Sequence, residues 1–143
     1  IQAAPSTATF LVDRDGPVKV SIFGVGIGRV AKPDRAHDIG LPAASLLDIA
    51  AQKVRVIQVR AERKDYLDLV TLLQHGITLP QAVGGAKAIY ADFAPMVSLK
   101  ALSYFDDGDL ADLPDAAKTT LIAAAGDVDT VPAVPLGSAR LID

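Results

Sequence analysis

The pattern of apolar and polar residues near the start of the chain predicts two antiparallel strands. Val18, Val20 and Ile22 alternate with more polar neighbours, as in a strand with one apolar face. An earlier apolar run, residues 10–12, leads into residues 13–16 (DRDG), whose glycine permits the positive φ angle of a hairpin turn. Because an isolated hairpin is marginal in water, it needs covering helices or further strands. We expect further strands, from polypeptide that precedes this chain.

Beyond a connector over residues 24–44, rich in glycine, proline and charge, apolar residues recur at helical spacing. Ser45 and Asp48 have the spacing of a capping box and predict a helix that runs to about Arg60. Gly84 and Gly85 are expected to weaken a later helix by roughly 1 kcal/mol each. The further predicted helices cover about residues 64–74, 78–89, 95–105 and 114–125, and the chain ends in an irregular tail.

These patterns together predict an α+β fold, in which a β-hairpin or sheet edge is followed by a mostly helical C-terminal half. The predicted units are residues 1–44 (sheet and connector), 45–125 (helical domain) and 126–143 (tail). At 143 residues, the length is that of one domain.

Composition and charge exclude several kinds of protein. Fourteen basic and 17 acidic residues give a net charge of −3, which excludes a globally basic nucleic-acid binder. The absence of cysteine excludes disulfides, cysteine zinc sites and thiol nucleophiles. No apolar run approaches the roughly 18–20 residues of a membrane span. We therefore expect a cytoplasmic protein that makes no contact with a membrane, and the residues suggest no metal site.

Three short motifs have plain structural explanations. The run GVGIG at residues 24–28 lacks the third glycine of a dinucleotide fingerprint, because Arg29 stands in its place. Asp13 and Asp15 form a DxD sequence that resembles a magnesium motif, but they lie where a hairpin turn is expected. In the acidic run over residues 106–115, the sixth position counted from Asp107 is Asp112, where a calcium-binding loop requires glycine. The run is better explained as a solvated loop before a helix.

Charged residues are concentrated between Lys53 and Asp68. Lys53 lies among apolar helical positions, and Arg60, Lys64 and Asp65 follow at the junction of two predicted helices. Lys64 and Asp68 are one turn apart and share a helix face. Two interpretations remain open: a surface salt-bridge cluster of little energetic weight, or a phosphate-binding site whose carboxylates orient the basic groups.

Four segments resemble the AbiEii/AbiGii family, the nucleotidyltransferase-like toxins of type IV toxin–antitoxin systems. In chain order they are DGPVKVSIF (residues 15–23), LLDIAAQK (46–53), RKDYLDL (63–69) and LKALSYFDD (99–107). Each segment alone is a weak match to the family. The four segments occur in the family's order over about residues 7–125, however, and this order makes the resemblance fairly specific.

This resemblance implies a nucleotidyltransferase-type sheet and transfer of a nucleotide from NTP to an acceptor, with Mg²⁺. The acceptor in some relatives is tRNA, so RNA is the expected acceptor here. The resemblance implies that Asp65 and Asp68 are catalytic carboxylates and that Lys53 and Lys64 bind the nucleotide.

The N-terminal glycine-rich segment and DxD strand of the family have no counterpart in this sequence. We therefore expect the chain to be the C-terminal portion of such an enzyme, inactive by itself. The alternative is a non-enzymatic helical module that binds a partner protein, such as a cognate antitoxin.

Overall fold

The computed structural model describes residues 2–4, 6–24 and 26–141. The chain begins with a three-stranded antiparallel sheet, in which β1 (Gln2–Ala4) pairs with β2 (Thr7–Asp13) and β2 pairs with β3 (Pro17–Phe23). The predicted β2–β3 hairpin is confirmed, and its turn uses positive φ angles at both Asp15 and Gly16. β1 is a third strand that the sequence pattern did not predict.

One face of the hairpin is apolar and uncovered. Phe10 lies opposite Val20, and Val12 lies opposite Val18, so these side chains share a face. Val18, Val20 and Ile22 are 48%, 41% and 60% exposed. No strand of this sheet is in extensive contact with a helix among the described residues. The later helices therefore do not cover the hairpin, and its cover by further strands stays a prediction.

The remaining elements are a small ribbon in the connector and five α-helices in the described residues. The ribbon pairs β4 (Asp34–Arg35) with β5 (Pro42–Ala43). The helices are α1 (Leu46–Ile57), α2 (Arg63–Gln74), α3 (Leu79–Ile89), α4 (Pro95–Ala101) and α5 (Asp115–Gly126), with a 3-10 turn at Leu110–Asp112 before α5. The α+β fold class is confirmed.

The predicted starts of the helices agree with the structure better than their predicted ends do. Ser45 Oγ accepts the Asp48 N–H, and Thr78 forms a full capping box with its third helical residue. The prediction that α1 reaches Arg60 is wrong, because the chain leaves the helix after Ile57 in a tight turn. α4 likewise ends at Ala101, four residues before the predicted end.

The core lies between the helices, where apolar faces of α1, α2, α3 and α5 meet. Among the described residues its buried members are small or branched apolar residues together with the rings of Tyr66 and Phe93, in keeping with the aromatic-poor composition. Fully or almost fully buried examples are Val54, Leu69, Val83, Leu102 and Leu121. Ser98 is buried as well, and its Oγ donates to the Val54 carbonyl oxygen at 2.7 Å, which fastens α4 to α1.

The irregular tail packs onto α3 and the connector instead of extending into solvent. Arg29 and Ser138 form a β-bridge, with the Arg29 N–H 2.9 Å from the Ser138 carbonyl oxygen. A Cβ atom at Gly84 would lie 2.6 Å from the carbonyl oxygen of Pro132. Gly84 therefore lets the tail approach the α3 backbone, a packing role that helix propensity alone does not reveal.

The described helices are short relative to a lipid bilayer. The longest have 12 residues, about 18 Å of helix, whereas a membrane core is about 30 Å thick. No described helix combines the length and apolar character that a membrane crossing requires.

Candidate functional site

The side chains predicted to form a site lie on two neighbouring helices, α1 and α2. Lys53 flanks the buried face of α1, beside Val54 and Ile57, so its stem is packed while its amine reaches outward. Asp65 and Asp68 are three residues apart on α2 and point to the same side. The packing of α1 on α2 therefore brings Lys53 to both carboxylates.

The contacts of Lys53 form the centre of the site. Its Nζ atom lies 2.9 Å from Asp65 Oδ1 and 2.5 Å from Asp68 Oδ2. The exposed fractions of the three side chains are 22% for Lys53, 1% for Asp65 and 55% for Asp68. The site thus runs from a buried carboxylate to an exposed one, with the ammonium group between them.

A second cation holds the buried carboxylate from the other side. Arg60 Nε donates to Asp65 Oδ2 at 2.9 Å, and Arg60 Nη1 lies 3.3 Å from Glu62 Oε1. Both oxygens of Asp65 are therefore bonded to cations, as an almost completely buried carboxylate requires. We call Lys53, Arg60, Asp65 and Asp68 the charged cluster.

Lys64 is not part of the charged cluster. Its Nζ atom lies 2.9 Å from Glu62 Oε2, and its side chain is 67% exposed. The expected proximity of Lys64 to Asp68 on one helix face does not produce an ion pair between them in the described contacts, because Asp68 turns toward Lys53 instead. A role for Lys64 in binding nucleotide stays a prediction.

The contacts of the charged cluster shift the pKa values of Lys53 and Asp65 in opposite directions. Burial alone would raise the pKa of Asp65, but hydrogen bonds from Lys53 and Arg60 outweigh burial and lower that pKa below its ordinary value. Burial alone would lower the pKa of Lys53, but hydrogen bonds to Asp68 and Asp65 raise it. Lys53 and Asp65 are therefore both ionised near neutral pH.

The charged cluster has the donors to bind an anion but lacks the ligands for magnesium. Lys53 has three N–H donors, of which two point at carboxylates, so one can turn to a phosphate oxygen. Both Asp65 oxygens already accept from cations, and no three potential metal ligands converge anywhere in the described residues. A Mg²⁺ ion prefers six oxygen ligands, so the cluster residues do not fit it.

The other acidic motifs have structural surroundings. Asp13 and Asp15 lie at the exposed end of the β2–β3 hairpin. In the acidic loop, Asp109 Oδ1 accepts the Arg63 N–H at 2.7 Å and so bonds to the start of α2. In the run GVGIG, Val25 lies outside the described residues, and a Cβ atom at Gly28 would lie 3.2 Å from the Ser138 carbonyl oxygen.

Two residues, Arg60 and Asp48, make contacts at or near the site that the sequence pattern did not predict. Arg60 stands seven residues after Lys53, two helical turns, and this spacing could have placed it on the same side as Lys53. Asp48 is completely buried, and its carboxylate accepts the N–H groups of Val30 and Ala31 at 2.7 and 3.3 Å as well as the Ser45 hydroxyl. It fastens the connector to the start of α1, the helix that carries Lys53.

Comparison with known proteins identifies one family and one relative. Residues 6–133 match the family described as "Nucleotidyl transferase AbiEii toxin, Type IV TA system". The chain is 31% identical over 102 residues to an uncharacterized protein of Aquifex aeolicus (strain VF5), an alignment that covers 71% of this chain and 48% of the relative. The chain thus spans about half the length of this curated relative. No solved structure matches.

Proposed function

Because the chain belongs to the AbiEii nucleotidyltransferase toxin family, we propose that it is the C-terminal part of an enzyme that transfers a nucleotide from NTP to RNA. In this proposal the enzyme acts in the cytoplasm and depends on Mg²⁺, whose ligands lie outside this chain. The greater length of the Aquifex relative and the uncovered apolar face of the hairpin support the existence of further polypeptide in the enzyme.

One observation carries the proposal: Lys53 is held between Asp65 and Asp68 with a donor to spare. A lysine fixed by carboxylates needs little reorganisation when a triphosphate arrives, so its positive charge is available at a defined position. In this assignment Lys53 contacts phosphate, and Asp65 positions Lys53 and Arg60. Asp68, which is the exposed carboxylate, faces the reacting groups.

The test measures incorporation of labelled nucleotide into RNA by the full-length protein. Replacing Lys53 by Gln removes the charge and is expected to lower incorporation on the order of a hundredfold, as for loss of one transition-state donor. Lys64→Gln is expected to have a smaller effect, since that side chain is more exposed and already bonded to Glu62. Lys87→Gln, at an exposed position on α3, is the matched control and should leave the rate unchanged.

The thermal midpoint of each variant is measured as well, because Lys53 also neutralises the charge of the buried Asp65. Lys53→Arg keeps the charge and should retain the fold, and all rates are compared below the thermal midpoint of each variant. Full activity of a folded Lys53→Gln protein would refute the proposal. So would a loss of activity that only follows the loss of folded protein across the series.

A second candidate function is binding of the cognate antitoxin, which a type IV toxin family implies. The observation that favours it is an apolar groove of about 540 Å³ between the α2–α3 junction and α5, lined by residues such as Leu73, Ile77 and Ala123. Truncation after residue 105 is unsuitable as a test, because it removes Leu121, which is completely buried in the core, and would therefore disturb the fold itself. Ala123→Glu, at an exposed position, should instead weaken co-purification with the antitoxin and leave nucleotide incorporation intact.

A further inference from the structure

A pocket lies beside the charged cluster, at the end of α1. It has a volume of about 270 Å³, and residues 57–61, Tyr66, Val97, Ala101, Tyr104, Asp107 and Leu110 line it. Arg60 belongs to both sites, since it lines the pocket and donates to Asp65 of the cluster. A ligand in this pocket could therefore extend its anionic part toward Lys53.

The size and walls of the pocket suit one flat ring system. Ligand pockets for whole drug-sized molecules begin at about 300 Å³, so this volume holds a ring and leaves an attached sugar and phosphates outside. Ile57, Val97 and Leu110 supply apolar walls. The pocket thus combines an apolar interior with the cation of Arg60 at its border.

Two tyrosines line the pocket in different ways. Tyr66 is held in place by its contacts, whereas the ring of Tyr104 is exposed. Tyr66 is 2% exposed, contacts the Phe105 ring edge-on at 6.3 Å and directs its hydroxyl toward the Ala101 carbonyl oxygen. Burial and nearby carboxylates raise the pKa of Tyr66 to about 12, so it stays a neutral phenol. Tyr104 is 52% exposed, and its ring is available for stacking on a ligand.

We propose that this pocket binds a nucleobase that carries an exocyclic amino group, with its ring against Tyr104 and its amine donating to Asp107. The inference rests on the proposed nucleotide site and adds base selection to it. A carboxylate accepts from the amine of cytosine or adenine, whereas the corresponding carbonyl of uracil or hypoxanthine would face it with lone pairs. Asp107 therefore favours amino bases over their oxo counterparts.

The experiment measures dissociation constants of the purified full-length protein by calorimetry for CTP, UTP, ATP, ITP and inorganic triphosphate. CTP and ATP are expected to bind several-fold more tightly than UTP and ITP. Tyr104→Ala should weaken the binding of CTP and ATP by roughly five- to a hundredfold, the range found for base stacking, and should not affect inorganic triphosphate. Tyr104→Phe keeps the ring and should bind normally.

Two further variants and one matched control variant separate base recognition from general effects. Asp107→Asn should abolish the preference for amino over oxo bases. Val97→Trp fills the pocket and should abolish base-dependent binding, whereas Met96→Trp, at an exposed neighbouring position that does not line the pocket, is the matched control.

Short oligoribonucleotides that end in cytidine or uridine form a second arm of the experiment. This arm tells whether the base in the pocket belongs to the acceptor RNA or to the free nucleotide.

The outcomes distinguish failure of the pocket from failure of the charged cluster. If all nucleotides and both oligonucleotides bind as inorganic triphosphate does, and Tyr104→Ala changes nothing, the pocket proposal is overturned while triphosphate binding by Lys53 stands. If inorganic triphosphate does not bind and Lys53→Gln changes nothing, the proposed function fails, and the pocket proposal is decided separately by whether a preference for amino bases depends on Tyr104. A Tyr104-dependent preference for amino bases in either arm supports the pocket proposal.

Discussion

Asp65 remains ionised although it is almost completely buried, because Lys53 and Arg60 each bond to one of its oxygens. Replacement of Asp65 by Asn removes the negative charge that Lys53 and Arg60 share and leaves one acceptor oxygen for the two cations. It is expected to reduce the free energy of unfolding by about 1–3 kcal/mol at pH 7. Asp68→Asn is the matched control. Because Asp68 is 55% exposed, its replacement should cost within about 0.5 kcal/mol.

The contribution of Asp65 should depend on pH in a defined direction. Its folded-state pKa is lowered below the ordinary 3.8, so the stabilisation is present above about pH 4 and is lost as the pH falls through the lowered pKa. The raised pKa of Lys53 adds stabilisation that is fully present below pH 10.5 and is lost as the pH rises through the raised pKa. Urea unfolding at pH 7 and pH 3 should show the difference between wild type and Asp65→Asn shrinking at pH 3. An unchanged difference would contradict this assignment.

The sequence reveals the charged residues of the site but not all of their partners. Lys53, Asp65 and Asp68 could be grouped because helical periodicity places each on a definite side of its helix. The ion-pair partner of Lys64 could not be predicted in this way, because Glu62 and Asp68 were both within reach. The packing of α1 on α2 pairs Asp68 with Lys53, and Lys64 pairs with Glu62. The Asp48 carboxylate bonds to amides 17 and 18 residues away, which no local pattern encodes.

At the scale of elements, α3 illustrates why propensity and packing lead to different expectations. Helix propensity predicts that Gly84→Ala stabilises α3 by up to about 1 kcal/mol. The structure predicts the opposite, because the new methyl group would meet the Pro132 carbonyl oxygen at 2.6 Å and Val134 Cγ2 at 2.9 Å. We expect a net loss of about 1–2 kcal/mol through displacement of the tail.

Gly126 provides the control for this prediction. It is also helical, at the end of α5, and a Cβ atom there would have open space around it. Gly126→Ala is therefore expected to be neutral or to stabilise by a few tenths of a kcal/mol. Thermal unfolding of the two variants checks both signs. A stabilised Gly84→Ala protein would mean that the tail does not pack on α3 in solution.

The positions of the helices were predictable because caps and periodicity are local, as for Ser45 before α1 and Thr78 before α3. The ends of α1 and α4 and the packing of the tail were not, because they depend on contacts between distant segments. The bridge between Arg29 and Ser138 joins residues more than 100 positions apart, and neither segment carries a strand pattern that would reveal it.

At the scale of the whole molecule, the chain has a packed helical core and a sheet that shares little of it. The hairpin was predictable from alternation alone, and the exposure of Val18, Val20 and Ile22 agrees with the expectation that the helices leave it uncovered. The sheet is therefore stabilised mainly by its own hydrogen bonds and cross-strand pairs. Small units of this kind open more readily than a packed core.

Native-state hydrogen exchange of the chain should reveal this division. Amides of β2 and β3 are expected to exchange faster than those of α1 and α3, in which Ala51 and Val83 are completely buried. Val54→Ala creates a cavity in the helical core and should lower protection there by about 2 kcal/mol. It should leave the strand amides unchanged, because those amides exchange through opening of the sheet alone. Equal loss of protection in strands and helices would instead mean that the sheet and the helices unfold as one cooperative unit.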